Sequence, residues 1–301
     1  MNRSSGRVGL AAVVIAVAVS VTPDLIAQRG RGGPAGPPPT PRAGAPIDFT
    51  GTWVSVVTED WRWRMVTPPK GDVASIPVSA EGRKATAAWD PNADNAAGNQ
   101  CRAFGVGGIM RQPGRLRISW LDDSTLKLEF DAGTQTRLLN FDRAKQPGPE
   151  KTWQGFSLAV WEGPGFGRAA DAPPGPGAGP AGPPVPGGGG QGLRGGPPPR
   201  GQTSIVRGGD VKVVTTNFRE GYLRKNGVPY SENATITEYF HRLPTHPNGD
   251  NWLNIVTVIE DARYLNGAYY TSSNFRLEPD DTKFAPTPCQ TAAPLAVASK
   301  R

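Results

Sequence analysis

No apolar stretch in the sequence is long enough for a membrane-spanning helix. The longest, Val8–Val21, has about 14 residues against the roughly 20 a span requires. Arg3 and Arg7 precede it and Leu25-Ile26-Ala27 follows, so residues 1–27 read as a secretory signal cleaved before Gln28. No cysteine sits at that junction, which argues against a lipid anchor. The mature chain is therefore expected in the periplasm or outside the cell, with no transmembrane segment. Histidine is almost missing. His241 and His246 flank Pro244 with no cysteine or acid at ligand spacing, which argues against a zinc centre. Gly105-Val106-Gly107-Gly108 lacks the lysine and following helix of a phosphate loop. No strand–helix alternation recurs, which sets aside a parallel α/β sheet. Neither a metal nor a cofactor is expected.

Glycine and proline, by contrast, are abundant, at 39 and 32 of 301 residues, and they are concentrated. Residues 163–204 hold 26 of them and read as a disordered insertion; residues 28–46 read as a Pro/Gly linker. One β domain remains, built from residues 47–162 and 205–290, with a flexible tail at 291–301. The formal charge of +7 comes mostly from the linker, the insertion and the C-terminus, so the folded part is close to neutral. Nucleic-acid binding needs a basic face on the folded module and is not expected. Weak envelope contact through the Gly/Pro/Arg arms stays open. The two cysteines, Cys101 and Cys289, are expected to form one disulfide in an oxidising compartment.

Short β-type runs recur along the domain: 52–57, 61–66, 108–111, 115–121, 125–131, 134–141, 153–161, 211–219, 234–242, 252–260 and 269–277. Ser79 is a fitting N-cap for a helix over 80–89, which Asp90-Pro91 would end. In 115–131 the apolar alternation selects a register with Trp120 opposite Leu126, Ile118 opposite Leu128 and Leu116 opposite Phe130. Carried on through Ala132-Gly133-Thr134, the same logic places Arg117, Glu129 and Arg137 in one row. Such a row is a solvated outer face or, alternatively, a polar barrel interior that grips a carboxylate. The class predicted is all-β: one antiparallel domain, a barrel first and a sandwich second.

Phe49-Thr50-Gly51-Thr52-Trp53 resembles the F-x-G-x-W opening of lipocalins and related calycin barrels. The resemblance implies a Trp53 that plugs one barrel end under an arginine of the last strand, with Arg276 as candidate. A broader resemblance covers most of 47–290. Trp153-Gln154-Gly155-Phe156-Ser157, Trp161-Glu162-Gly163, Val213–Phe218, Gly227–Ser231 and Thr237–Phe240 are similar to a group of exported bacterial proteins abundant in acidobacteria, which also carry a Cys near the position of Cys101 and one near the C-terminus. It implies export, a β-rich fold and the disulfide, and no mechanism.

Eight tryptophans are spread over many strands. Trp61 and Trp63 would share a strand face and are candidate ligand contacts, as are Tyr222, Arg224 and Tyr230 in the Tyr/Arg-rich segment 221–230, whose Asn226-Gly227 is a turn signal. Glu238 is the candidate general acid/base, facing inward on its strand. The first function expected is an exported binder of a small, partly apolar molecule. The alternatives are a carbohydrate-active hydrolase with carboxylates and a Trp platform, and a cell-envelope interaction module. Enzymatic activity is not the leading expectation.

Overall fold

The strands form a closed nine-stranded barrel. The structure is a computed structural model that describes residues 38–162 and 210–291. The signal segment, most of the linker, the Gly/Pro insertion and the end of the tail lie outside the described residues. In chain order the strands are β1 (Gly51–Val56), β2 (Arg115–Trp120), β3 (Thr125–Phe130), β4 (Ala132–Gly133), β5 (Gln135–Asn140), β6 (Phe156–Trp161), β7 (Val211–Thr216), β8 (Gly221–Arg224), β9 (Val228–Tyr230), β10 (Thr235–Arg242), β11 (Trp252–Glu260), β12 (Tyr269–Leu277) and β13 (Thr287–Pro288). The barrel order is β1-β12-β11-β10-β7-β6-β5-β3-β2, an almost unbroken meander. An odd ring of alternating strands cannot close without one parallel neighbour. Here that neighbour pair is β5–β6, whose backbone pairing is limited to Leu139↔Ser157 and Asn140↔Leu158. The barrel is therefore mixed, with the parallel pair as its thinnest seam.

The β2–β3 hairpin has the expected register: Leu116↔Phe130, Arg117↔Glu129, Ile118↔Leu128 and Trp120↔Leu126. The next register differs. Phe130 pairs with Gln135 and Leu128 with Arg137, because the turn is one residue longer than the three assumed and Thr134 takes a left-handed φ of 48°. A slip of one residue moves every side chain to the opposite face. Arg117 and Glu129 stay outside as an ion pair, while Arg137 turns into the barrel.

Three layers fill the interior. An apolar layer at one end contains Trp53, Leu116, Leu128, Phe240 and Leu253. A polar belt of Arg137, Ser157, Thr215, Glu238, Thr257 and Ser273 follows, all of them buried. A second apolar cluster, around Phe218, Val228, Tyr230 and Ile236, caps the other end. Trp53 is fully buried and donates from Nε1 to the Phe49 carbonyl at 2.9 Å. The arginine over its ring is Arg242 of β10, at 5.9 Å; Arg276 points outward and is exposed.

Local differences from the sequence reading have simple causes. Residues 61–64 form a helical turn, α1 (Trp61–Arg64), so Trp61 and Trp63 diverge instead of sharing a face. Residues 109–111 are a 3-10 turn. Helix α2 (Ala80–Ala88) has the Ser79 cap, with Gly82 N donating to its hydroxyl. Asp90-Pro91 ends it and also starts α3 (Pro91–Ala96), with Asp90 as N-cap and Pro91 in the first turn. Residues 41–44 form a turn held by Trp161 Nε1, which donates to the Pro41 carbonyl at 3.2 Å, so order begins before Ile47.

Gly105 and Gly107 pack against Tyr230. A Cβ on Gly107 would lie 2.6 Å from Tyr230 Cε1, and one on Gly105 would lie 2.4 Å from its hydroxyl. The glycines of this segment make room for a buried ring. Gly107→Ala is expected to cost about 1–3 kcal/mol by overpacking, read from the urea midpoint.

Candidate functional site

The apolar end of the barrel is tightly packed. The gap left among Phe49, Ile118, Leu128, Leu139 and Phe240 has no room for a water molecule. Glu238 does face inward, as expected, but it is completely buried and bound by Arg137. Arg137 also donates to Ser157 Oγ at 3.3 Å and to Thr215 Oγ1 at 3.0 Å. One guanidinium thus ties β5, β6, β7 and β10 together across the parallel seam. A carboxylate with no exposed surface, held by a buried guanidinium, is a structural ion-pair partner, and the general acid/base reading is corrected.

The other candidates separate. Trp61 is 66% exposed on the outer side of α1. Trp63 meets Arg224, whose guanidinium lies 4.5 Å from its ring centroid. Segment 221–230 is not a surface loop. It is the β8–β9 hairpin, turned at Gly227 with φ +79°, and its residues are buried apart from Lys225. Tyr230 packs edge-on against Phe218 in the cap cluster and contacts no open space. Tyr222 lies at the edge of a surface depression that the sequence reading missed.

That depression has two parts, which share Asn99 and Arg102 in their linings. One is an open cleft with about 250 Å³ of free space, lined by Asn99, Arg102, Trp153, Arg219, Glu220 and Glu232. The other is a narrow crevice of about 10 Å³ running past Trp89, Asp94, Tyr222 and Lys225 to Gln290 and Thr291. The Cys101–Cys289 disulfide joins the 3-10 turn of Gln100–Phe104, which lines the crevice, to the segment that leads into Gln290 and Thr291. The expected pairing is thus present, and it closes one side of the crevice.

Asp94 of α3 anchors the crevice. It accepts from Tyr222 Oη at 2.8 Å, from Trp89 Nε1 at 3.0 Å and from Arg102 at 3.3 Å. Burial, joined by the hydrogen bond to Asp94, pushes the Tyr222 hydroxyl well above its usual range. Arg102 is saturated, with Glu220 at 2.6 Å and its guanidinium 4.7 Å from the Tyr222 ring centroid. Burial works against the Arg102 charge, but Tyr222, Asp94 and Glu220 outweigh it and raise the group. Glu220 also meets Arg263 and Tyr264 Oη, and Glu232 pairs with Lys151 at 2.8 Å.

Arg219 is different. Its guanidinium carbon lies over Trp153, 3.9 Å from the ring centroid. Its one side-chain hydrogen bond among the described residues is a long one, 3.4 Å, to Asn99 Oδ1. The chain has no match among protein-family models, curated proteins or solved structures. The chemistry of the cleft therefore rests on these side chains. It offers one exposed cation on an indole shelf, an amide and two ion-paired carboxylates. Arg219-Glu220 directly before the Tyr/Arg-rich hairpin was the sequence signal available. Trp153 carried none, because its packing partner is 66 residues away. No group of three or more potential metal ligands occurs among the described residues.

Proposed function

We propose that this chain is an exported binding protein whose ligand is a small acidic, polar molecule held in the outer cleft. The reading rests on Arg219. A guanidinium stacked on an indole keeps its planar fork directed outward and loses little freedom on binding a carboxylate or phosphate. Asn99, Glu220 and Glu232 add hydrogen-bonding groups suited to hydroxyls. The volume suits a molecule of monosaccharide size, at the low end for ligand sites. An acidic sugar combines these features. The disulfide fits an exported protein, and residues 1–27 supply the signal for export in this reading. A hydrolase would use the same cleft, because Glu220 and Glu232 both line it. Cation pairing of both leaves neither as a ready proton donor.

The test begins with native mass spectrometry of the mature protein from its own host, purified without reductant, to detect a bound acidic molecule. Calorimetry with glucuronate and galacturonate against glucose and galactose follows. The acidic sugars should bind and the neutral ones should not. Arg219→Met should weaken binding at least tenfold, the usual scale for a lost charged hydrogen bond of about 1.5–3 kcal/mol. Equal binding of neutral sugars, or unchanged binding by the variant, would remove this reading.

A further inference from the structure

A second cation, Arg224 of β8, lies apart from the cleft in a different environment. It is only 7% exposed. Both terminal nitrogens are sealed from solvent, and neither has a hydrogen-bond partner among the described residues. Trp63 covers the guanidinium, the Tyr269 hydroxyl is its nearest acceptor, in a contact too poorly aligned to satisfy either terminal nitrogen, and Asp60 and Asp72 attract it from a distance. These acids are engaged elsewhere. Asp60 pairs with Arg111 at 2.6 Å, and Asp72 accepts from Trp63 Nε1 at 3.2 Å and from Ala74 N at 3.0 Å. Glu59, the other acid at this end, holds Arg64 at 3.1 Å. Against these three acids stand Arg64, Arg111, Arg224 and Lys225. Burial and mutual repulsion bear on this group: Arg64 is lowered to about 10 by burial and by Arg111, and Lys225 is lowered by burial and by Arg64. This end of the molecule holds more buried positive charge than its carboxylates balance.

A buried cation without an acceptor is costly, and stacking on an indole offsets only part of that cost. Such a group in a native fold calls for an explanation, and a bound ion is one of the few that satisfies it. The cover over Arg224 is a strap, residues 57–78, which contains α1 and Trp63. It is pinned to the hairpin by Asn226, whose Nδ2 donates to the Pro69 carbonyl at 2.9 Å and the Asp72 carbonyl at 2.8 Å. Near its two ends, Asp60 and Ser75 hold left-handed φ of 54° and 67°, unusual for residues other than glycine. Its outer side exposes Trp61, Met65 and Val66.

We propose that Arg224 is a binding site for a small oxyanion, reached when the strap over 57–78, which carries the Trp63 that covers it, lifts at Asp60 and Ser75. The ligand pairs with the fork of Arg224 and supplies the acceptors that the fold leaves out. The site is too enclosed for a membrane surface or a polymer, so the partner is a free anion of the size of phosphate. It is independent of the cleft, where Arg219 is exposed.

The experiment uses the full mature protein at constant ionic strength, titrated with inorganic phosphate, with chloride as reference. Phosphate should raise the melting temperature saturably by several degrees and slow amide hydrogen exchange within 57–78. Arg224→Met keeps the bulk of the side chain and removes the charge. It should abolish the phosphate response and raise the melting temperature of the anion-free protein, because the unpaired cation is gone. Exchange protection within 57–78 is the readout that separates this site from the cleft, whose lining contains no residue of that segment. A phosphate response that survives Arg224→Met would overturn the proposal. So would a wild type with no saturable response and no added exchange protection in 57–78, a result that does not depend on any variant folding. A fall in anion-free stability on Arg224→Met would also count against it and mark Arg224 as a packing residue on Trp63.

Discussion

Replacing Glu238 with leucine should destabilise the protein by about 3–5 kcal/mol, the cost of leaving a buried arginine without its partner. Arg137 and Glu238 have side chains 1% and 0% exposed, so neither charge can turn to water when the other is removed. The loss should be amplified by position. Arg137 spans the β5–β6 seam, where two backbone pairs and the Asn140 Nδ2 bond to the Ser157 carbonyl at 3.0 Å are the other ties. Urea unfolding of the single variants and of the Arg137→Met/Glu238→Leu double variant gives the coupling directly. The double variant should recover most of the lost stability, because an apolar pair of similar volume carries no desolvation cost. Additive losses would show that the two charges act separately and that the belt does not hold the seam.

The second large effect should come from the disulfide. Cys101→Ser/Cys289→Ser should lower stability by about 2–5 kcal/mol, because the bond closes a loop of 188 residues and loop entropy alone accounts for about 5 kcal/mol at that length. The change should also act on the cleft. Without the bond, the wall at Gln290 and Thr291 depends on the two-residue β4–β13 pairing and on Thr134 Oγ1 donating to the Thr287 carbonyl at 2.9 Å. Thermal unfolding with and without reductant measures the first effect. Limited proteolysis after residue 283 measures the second, and cleavage should occur in the reduced protein well before the barrel unfolds. Equal melting temperatures in the two states would contradict both expectations.

The strands were legible because each carries its own signal. Trp252–Glu260 and Tyr269–Leu277 are rich in β-branched and aromatic residues, and both were placed with their observed bounds. The β2–β3 register was also readable, since only one loop length keeps Leu116, Ile118 and Trp120 on the face of Phe130, Leu128 and Leu126. The Asn226-Gly227 turn was visible in two residues, although what it joins is a buried hairpin and not a loop. The site was much less legible. Arg102, Trp153, Arg219 and Glu232 are far apart in the chain and come together only when the barrel end is capped. Trp61 and Trp63 were misplaced because a four-residue helix carries too little periodicity to be told from a strand.

The sequence by itself determined that this is a β protein, that one hairpin pairs in one register, that Ser79 starts a helix and that Cys101 meets Cys289. Those outcomes depend on local alternation, turn chemistry and a single pair of thiols. Only the tertiary structure decided which way Arg137 faces, what Glu238 is for, and which arginine of Arg219, Arg224 and Arg242 is stacked, sealed or exposed. The reason is physical. A side chain's face depends on the parity of every turn before it, and one additional residue between Phe130 and Gln135 put a charge at the centre of the barrel.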